Sequence, residues 1–114
     1  MVRHEIDIKE NILTGDSLKD VKKKILIGPQ DGYKGYLRVF TLQPGGYTPH
    51  HKHNWWHANY VLEGEGKIII EDKEYDVRKG STAYIENNKM HQFKNTGSTD
   101  LKFICLVPVE GDSY

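Results

Sequence analysis

Between Pro49 and Tyr60 the chain reads PHHKHNWWHANY, which places four of its six histidines within twelve residues. Imidazole nitrogen binds divalent transition metals and also titrates near neutral pH. The stretch therefore reads as a metal site, a pH-responsive segment or a polar surface loop. If the segment is extended, His51 and His53 point to one side and His50 to the other, because successive strand residues alternate. Asn54, Trp55 and Trp56 leave room for a bend, after which His57 opens a new apolar run and can face back toward the first pair. Three such donors from two strands leave coordination positions open for a substrate.

A frame of glycines surrounds these histidines. Gly45, five residues, His51, one residue, His53, three residues, His57, six residues and Gly64 form one set. Gly80, ten residues, His91, three residues and Asn95 form a second. In this order and spacing the two sets resemble the paired motifs of the cupins over about half of the chain. His57 stands where the first motif usually has glutamate, and Glu86 and Asn88 replace the proline and glycine of the second. The resemblance implies an all-β, single-domain double-stranded β-helix, a jelly-roll barrel, holding one divalent transition metal ion. It implies His51, His53, His57 and His91 as ligands, with manganese or iron as the ion and zinc, nickel or copper as alternatives. Such a shell carries no negative charge, so the ion keeps its full charge and attracts an anionic or enolate-like oxygen. Activities of cupins that need the glutamate are not carried over.

The elements that must position these residues are strands. Eleven glycines and four prolines punctuate short runs rich in β-branched and aromatic residues, as in sandwiches and barrels. Strands are expected at 23–28, 36–42, 57–64, 67–72, 73–77, 81–86, 91–95 and 101–108. Residues 17–24, SLKDVKKK, carry a weak helical hint. Residues 1–22 read as an arm or short strands, and residues 23–114 as the barrel. On the last strand Leu101, Phe103, Cys105 and Val107 share one face while Ile104 and Leu106 share the other. Both faces are apolar, so the outer one is expected to be covered by the arm, another sheet or a second subunit, and a homodimer is expected.

Alternation also supplies pocket candidates. Phe93 shares a face with His91, and Phe103 and Cys105 share one on the last strand, as pocket wall or plain core. Trp55 beside the ligand loop is a candidate rim. Arg38 interrupts an apolar strand, which requires either an exposed edge position or a partner or anionic ligand inside the barrel. Arg38 and Tyr60 are the candidate catalytic groups, the first to orient an anionic substrate and the second to donate a hydrogen bond to a bound oxygen.

Composition narrows the partners. The 114 residues hold 16 Lys plus Arg against 16 Asp plus Glu, so no basic field is available for nucleic acid. Neither a membrane span nor a signal peptide is apparent, and a cytoplasmic location is expected. The one cysteine, Cys105, has no intrachain partner for a disulfide. The partner expected is a small organic molecule. The activity expected first is that of a metal-dependent oxygenase or dioxygenase. A non-catalytic ligand-binding or sensor domain, and an isomerase or lyase using the metal as a Lewis acid, are the alternatives.

Overall fold

The computed structural model describes residues 1–113, and among them the secondary structure is nine β-strands and three short 3-10 turns. The strands are β1 (Asn11–Leu13), β2 (Lys19–Ile27), β3 (Gly35–Tyr47), β4 (His57–Glu63), β5 (Glu65–Ile70), β6 (Lys73–Arg78), β7 (Thr82–Ile85), β8 (His91–Lys94) and β9 (Leu101–Pro108). This is the expected all-β jelly-roll barrel, and each expected strand is present. The weak helical hint at residues 17–24 is overturned: β2 occupies it from Lys19 onward. The reason lies in β2's own alternation, since Val21 and Lys23 point into the barrel and are buried while Lys22 and Lys24 point out. A lysine at an inward position hides the period-2 pattern from a reading based on hydrophobicity. The boundary drawn at 22/23 falls within this strand.

One curled sheet makes the barrel, with β3 as its hinge. From Gly35 to Leu42, β3 pairs with β9 on one side and β2 on the other. β9 continues into β4 and β4 into β7. At Tyr47 the same strand pairs with Lys94 of β8, which leads on to β5 and β6. The turn of β3 at Gly45 and Gly46 therefore carries the chain from one half of the barrel to the other.

Alternation sorts the strands as expected. Phe40, Leu42, Val61, Ile68, Ile85, Phe93, Leu101, Phe103 and Val107 all lie in the core. The two halves are joined by a ring stack in which Phe93 lies 4.3 Å from Phe103 and Phe103 5.6 Å from Phe40. Burying rings of this size supplies much of the driving force that closes the barrel. The N-terminal arm crosses the outer face of the β2–β3–β9 layer. Glu5 accepts from Lys24 Nζ through its carbonyl and from Lys102 Nζ through its carboxylate, and Arg3 pairs with Asp31.

Candidate metal centre

The register of the barrel brings the histidines together from three places in the chain. His91 opens β8 and is 2% exposed. His51 pairs with it through an isolated bridge, exchanging backbone hydrogen bonds of 2.9 and 3.1 Å. His57 opens β4, facing inward beside Ile85 of β7. His51, His53 and His91 each offer one ring nitrogen, and the three atoms lie within 4.8 Å of one another. His57 falls outside that set, yet its Nε2 is 3.2 Å from His91 Nε2.

The hydrogen bonds on the far side of the rings assign their tautomers. His53 Nδ1 lies 2.9 Å from the Trp55 carbonyl oxygen, His91 Nδ1 2.8 Å from that of Lys89, and His57 Nδ1 2.7 Å from Asn59 Oδ1. Asn59 donates through Nδ2 to the Ile104 carbonyl at 3.2 Å, so its Oδ1 is the acceptor toward His57. An oxygen that only accepts requires the proton on Nδ1, which leaves Nε2 of each ring as a bare lone pair. Two bare Nε2 atoms 3.2 Å apart, on His57 and His91, repel each other unless a cation lies between them. Nitrogens bonded to one metal at about 2.0–2.1 Å come this close. The donor set therefore fits a divalent ion.

Burial keeps the cluster in the metal-binding form. Desolvation, reinforced by its neighbour His91, pushes His57 down from 6.5 to about 3. Desolvation likewise takes His91 down to about 4, with His51 and His53 displaced in the same direction. For a base whose folded pKa is depressed, the unfolded chain binds the proton first, so stability is complete above about pH 6.5 and is lost as the pH falls toward the folded values. Metal-free protein is accordingly expected to lose thermal stability steadily from pH 6.5 to 4.5, above the range where most carboxylates titrate. A melting temperature constant over that interval would show that the histidines are not buried as neutral rings.

Around the cluster the structure sorts the other candidates. Trp55 stacks on His53 with centroids 4.3 Å apart and planes within 6°. Phe93 lies 6.1 Å from His57 and forms the floor together with Phe103. Arg38 points inward: it is 3% exposed and donates from Nη2 to Cys105 Sγ at 3.0 Å. Its charge helps to depress His53 and His57. Burial pushes the Cys105 thiol up, so it stays protonated. Tyr60 is a correction: it is 46% exposed and sits on the face of β4 opposite His57 and Asn59, so its hydroxyl does not reach the cluster. Asn59, 5% exposed and bonded to His57, was missed. Its position two residues after His57 on one strand was the available signal.

Comparison with known proteins completes the picture. Residues 38–107 match the family model described as "Cupin domain". A polyketide cyclase from Streptomyces resistomycificus superposes with a TM-score of 0.87 and 30% identity, covering 96% of this chain and 80% of that one. The oxalate-binding protein of Thermotoga maritima is 31% identical over 67 residues, 58% of this chain and 55% of that protein. The 1-methylthio-D-xylulose 5-phosphate methylsulfurylase of Rhodospirillum rubrum is 28% identical over 94 residues, 82% of this chain and 60% of that protein. The chain thus spans less than two thirds of the length of these two curated relatives.

Proposed function

Because this chain belongs to the cupin family, matched over residues 38–107, we propose that it is a metal-dependent enzyme acting on a small, oxygen-bearing, anionic substrate by Lewis-acid chemistry. The observation that carries the metal is the approach of His57 and His91 Nε2 to 3.2 Å with their Nδ1 protons turned away. His51, His53, His57 and His91 are the proposed ligands, with manganese or iron as the ion and zinc, nickel or copper as alternatives. When bound, the ion supplies a centre that polarises a carbonyl or phosphoryl oxygen. The remaining steps belong to the chain. Asn59 and the Lys89 and Trp55 carbonyls hold the imidazoles in one tautomer and orientation. Phe93 and Phe103 exclude water from the floor, Trp55 shields His53, and Arg38 supplies a positive charge to orient an anionic group. The names of the relatives agree with such a substrate, since one binds oxalate and another acts on a phosphate ester.

The oxygenase expected from the sequence is the second reading. It is favoured by a shell of four neutral donors, which leaves two positions of an octahedral ion for substrate and dioxygen together. The cyclase and the methylsulfurylase among the relatives favour the first. Protein loaded separately with zinc, manganese and iron and screened against 1,3-diketones and oxo acids separates the two. Turnover with zinc comparable to that with manganese, without oxygen uptake, is expected. Turnover confined to iron or manganese with stoichiometric oxygen uptake would establish the oxygenase, and turnover unaffected by chelators would exclude both.

The cytoplasm is the proposed location; among the described residues, no helix is long and apolar enough to cross a membrane. Self-association is proposed through the outer face of β9 and β4. Ile104 and Leu106 lie there half-buried, Tyr60 of β4 is 46% exposed, and Tyr84 on the adjoining β7 is 62% exposed. Light scattering is expected to return twice the 13.2 kDa chain mass, and a monomeric mass at micromolar concentration would overturn this.

A further inference from the structure

One row of inward positions across β3, β9 and β4 is polar. Arg38 of β3 and Asn59 of β4 each stand directly opposite Cys105 of β9, which lies between them. All three are buried, Arg38 to 3% exposure, Cys105 to 4% and Asn59 to 5%. The next inward layer on the same strands, Phe40, Phe103 and Val61, is apolar throughout. A polar row in such a core is costly unless its atoms pair with one another. The pairing runs through the sulfur. Arg38 donates from Nη2 to Cys105 Sγ at 3.0 Å. Asn59 also hydrogen-bonds the sulfur, in the sense that favours a thiolate, so its amide nitrogen is the donor there as well. The second proton of that nitrogen goes to the Ile104 carbonyl at 3.2 Å. With both amide protons turned to β9, Oδ1 is left facing His57 Nδ1 at 2.7 Å. The row therefore ends on the ring whose Nε2 lies 3.2 Å from that of His91.

Arg38 is the group that would undo this arrangement. It is a buried cation whose Nε has no hydrogen-bond partner among the described residues and whose Nη1 reaches Asp112 at a long 3.4 Å. Oxygen is a stronger acceptor than sulfur, and the next oxygen along the row is Asn59 Oδ1. Two strand spacings, about 10 Å, separate the backbones of Arg38 and Asn59, a gap that the arginine stem and the amide together span. Cys105 stands in that gap, accepts the guanidinium and leaves the amide oxygen to the imidazole.

We propose that Cys105 is a positioning residue of the metal centre: by accepting from both Arg38 and Asn59 it keeps the cation off the amide oxygen and fixes Asn59 as the acceptor that holds His57 with Nε2 bare. The consequence for metal affinity rests on the proposed four-histidine centre, whereas the orientation of the amide needs no metal. Three substitutions separate this role from packing. Cys105→Val fills the space without an acceptor, Cys105→Ala vacates it, and Cys105→Ser restores an acceptor in a small side chain.

Zinc alone is the probe, its affinity measured by competition with a chromophoric chelator. Cys105→Val and Cys105→Ala are expected to bind zinc about tenfold more weakly, the lower end of the effect of losing a ligand's hydrogen-bond partner. Cys105→Ser is expected to bind nearly as the unmodified chain does, whatever the order of the three melting temperatures. In an Asn59→Ala background the Cys105 substitutions should have no further effect, since the sulfur acts only through the amide. In metal-free protein, nitrogen NMR of the imidazoles is expected to show His57 protonated on Nδ1 in the unmodified chain and in Cys105→Ser, and a mixture of tautomers in Cys105→Ala. If Cys105→Val does not fold, Cys105→Ala decides. Unchanged zinc affinity in Cys105→Ala, affinities that follow thermal stability across the variants, or an equal loss in the Asn59→Ala background would overturn the proposal. An unmodified chain that binds no zinc would refute the metal centre alone, and the His57 tautomers would then decide for Cys105.

Discussion

His91→Ala protein is expected to fold but to lose its metal almost completely on dialysis. His91 is the ring that the others surround: its centroid lies 4.7 Å from His57, 4.8 Å from His53 and 4.9 Å from His51. Removing it takes away the donor that meets every other donor, whereas the Phe40, Phe93 and Phe103 stack that closes the barrel is untouched. Unlike a zinc finger, a barrel with this core does not depend on metal to fold. The His57→Ala protein is expected to lose metal as well, and Asn59→Ala to weaken binding by about 10–100-fold by releasing the His57 tautomer. Elemental analysis after dialysis, with circular dichroism to confirm the fold, checks all three. Full occupancy in His57→Ala would reduce the centre to His51, His53 and His91.

The second large effect is expected at Gly64, the glycine that ends the first motif. Its φ is +85°, which L side chains rarely adopt, and an added Cβ would meet the Asp100 carbonyl oxygen and come within 2.9 Å of Leu101 Cα. Both are backbone atoms at the start of β9 and cannot rotate away. Gly45 has nearly the same φ, +84°, but nothing within 4 Å of such a Cβ. Gly45→Ala therefore carries only the conformational cost, about 1–2 kcal/mol, while Gly64→Ala adds the displacement of β9 and should cost at least about 3 kcal/mol, in the range of the severe single substitutions. Urea melts of the two variants compare them directly. Equal losses would mean that the β4–β5 turn yields freely and that close approach is not what requires glycine at this position.

Much of the site was legible because local spacing carries it. His51 and His53 alternate on one extended segment, and His57 starts a strand whose parity places it inside. His91 is separated from Gly80 by a fixed interval, and in the barrel it pairs with His51. Strand positions were legible for the same reason, since the turn residues and the period of two are properties of neighbours in the chain. The reading failed where a side chain behaved against its type. Lysines on β2 concealed an inward-facing strand, and Tyr60, plausible by chemistry, was removed from the site by its own parity on β4.

Sequence by itself determined the barrel, the set of candidate donors and the interior position of Phe93, Phe103 and Cys105. Tertiary structure alone decided that Arg38 is an inward cation rather than an edge residue, that Asn59 orients His57, and that Lys23 and Asp112 join Arg38 in one charged cluster. The physical reason is range. Periodicity and motif spacing encode which face a residue occupies, and that is set by its neighbours. Which charge it meets depends on closure of the barrel, which brings Asp112 against partners 89 and 74 residues earlier in the chain. No local pattern records such a pairing, because it exists only once the aromatic core has drawn the two halves of the sheet together.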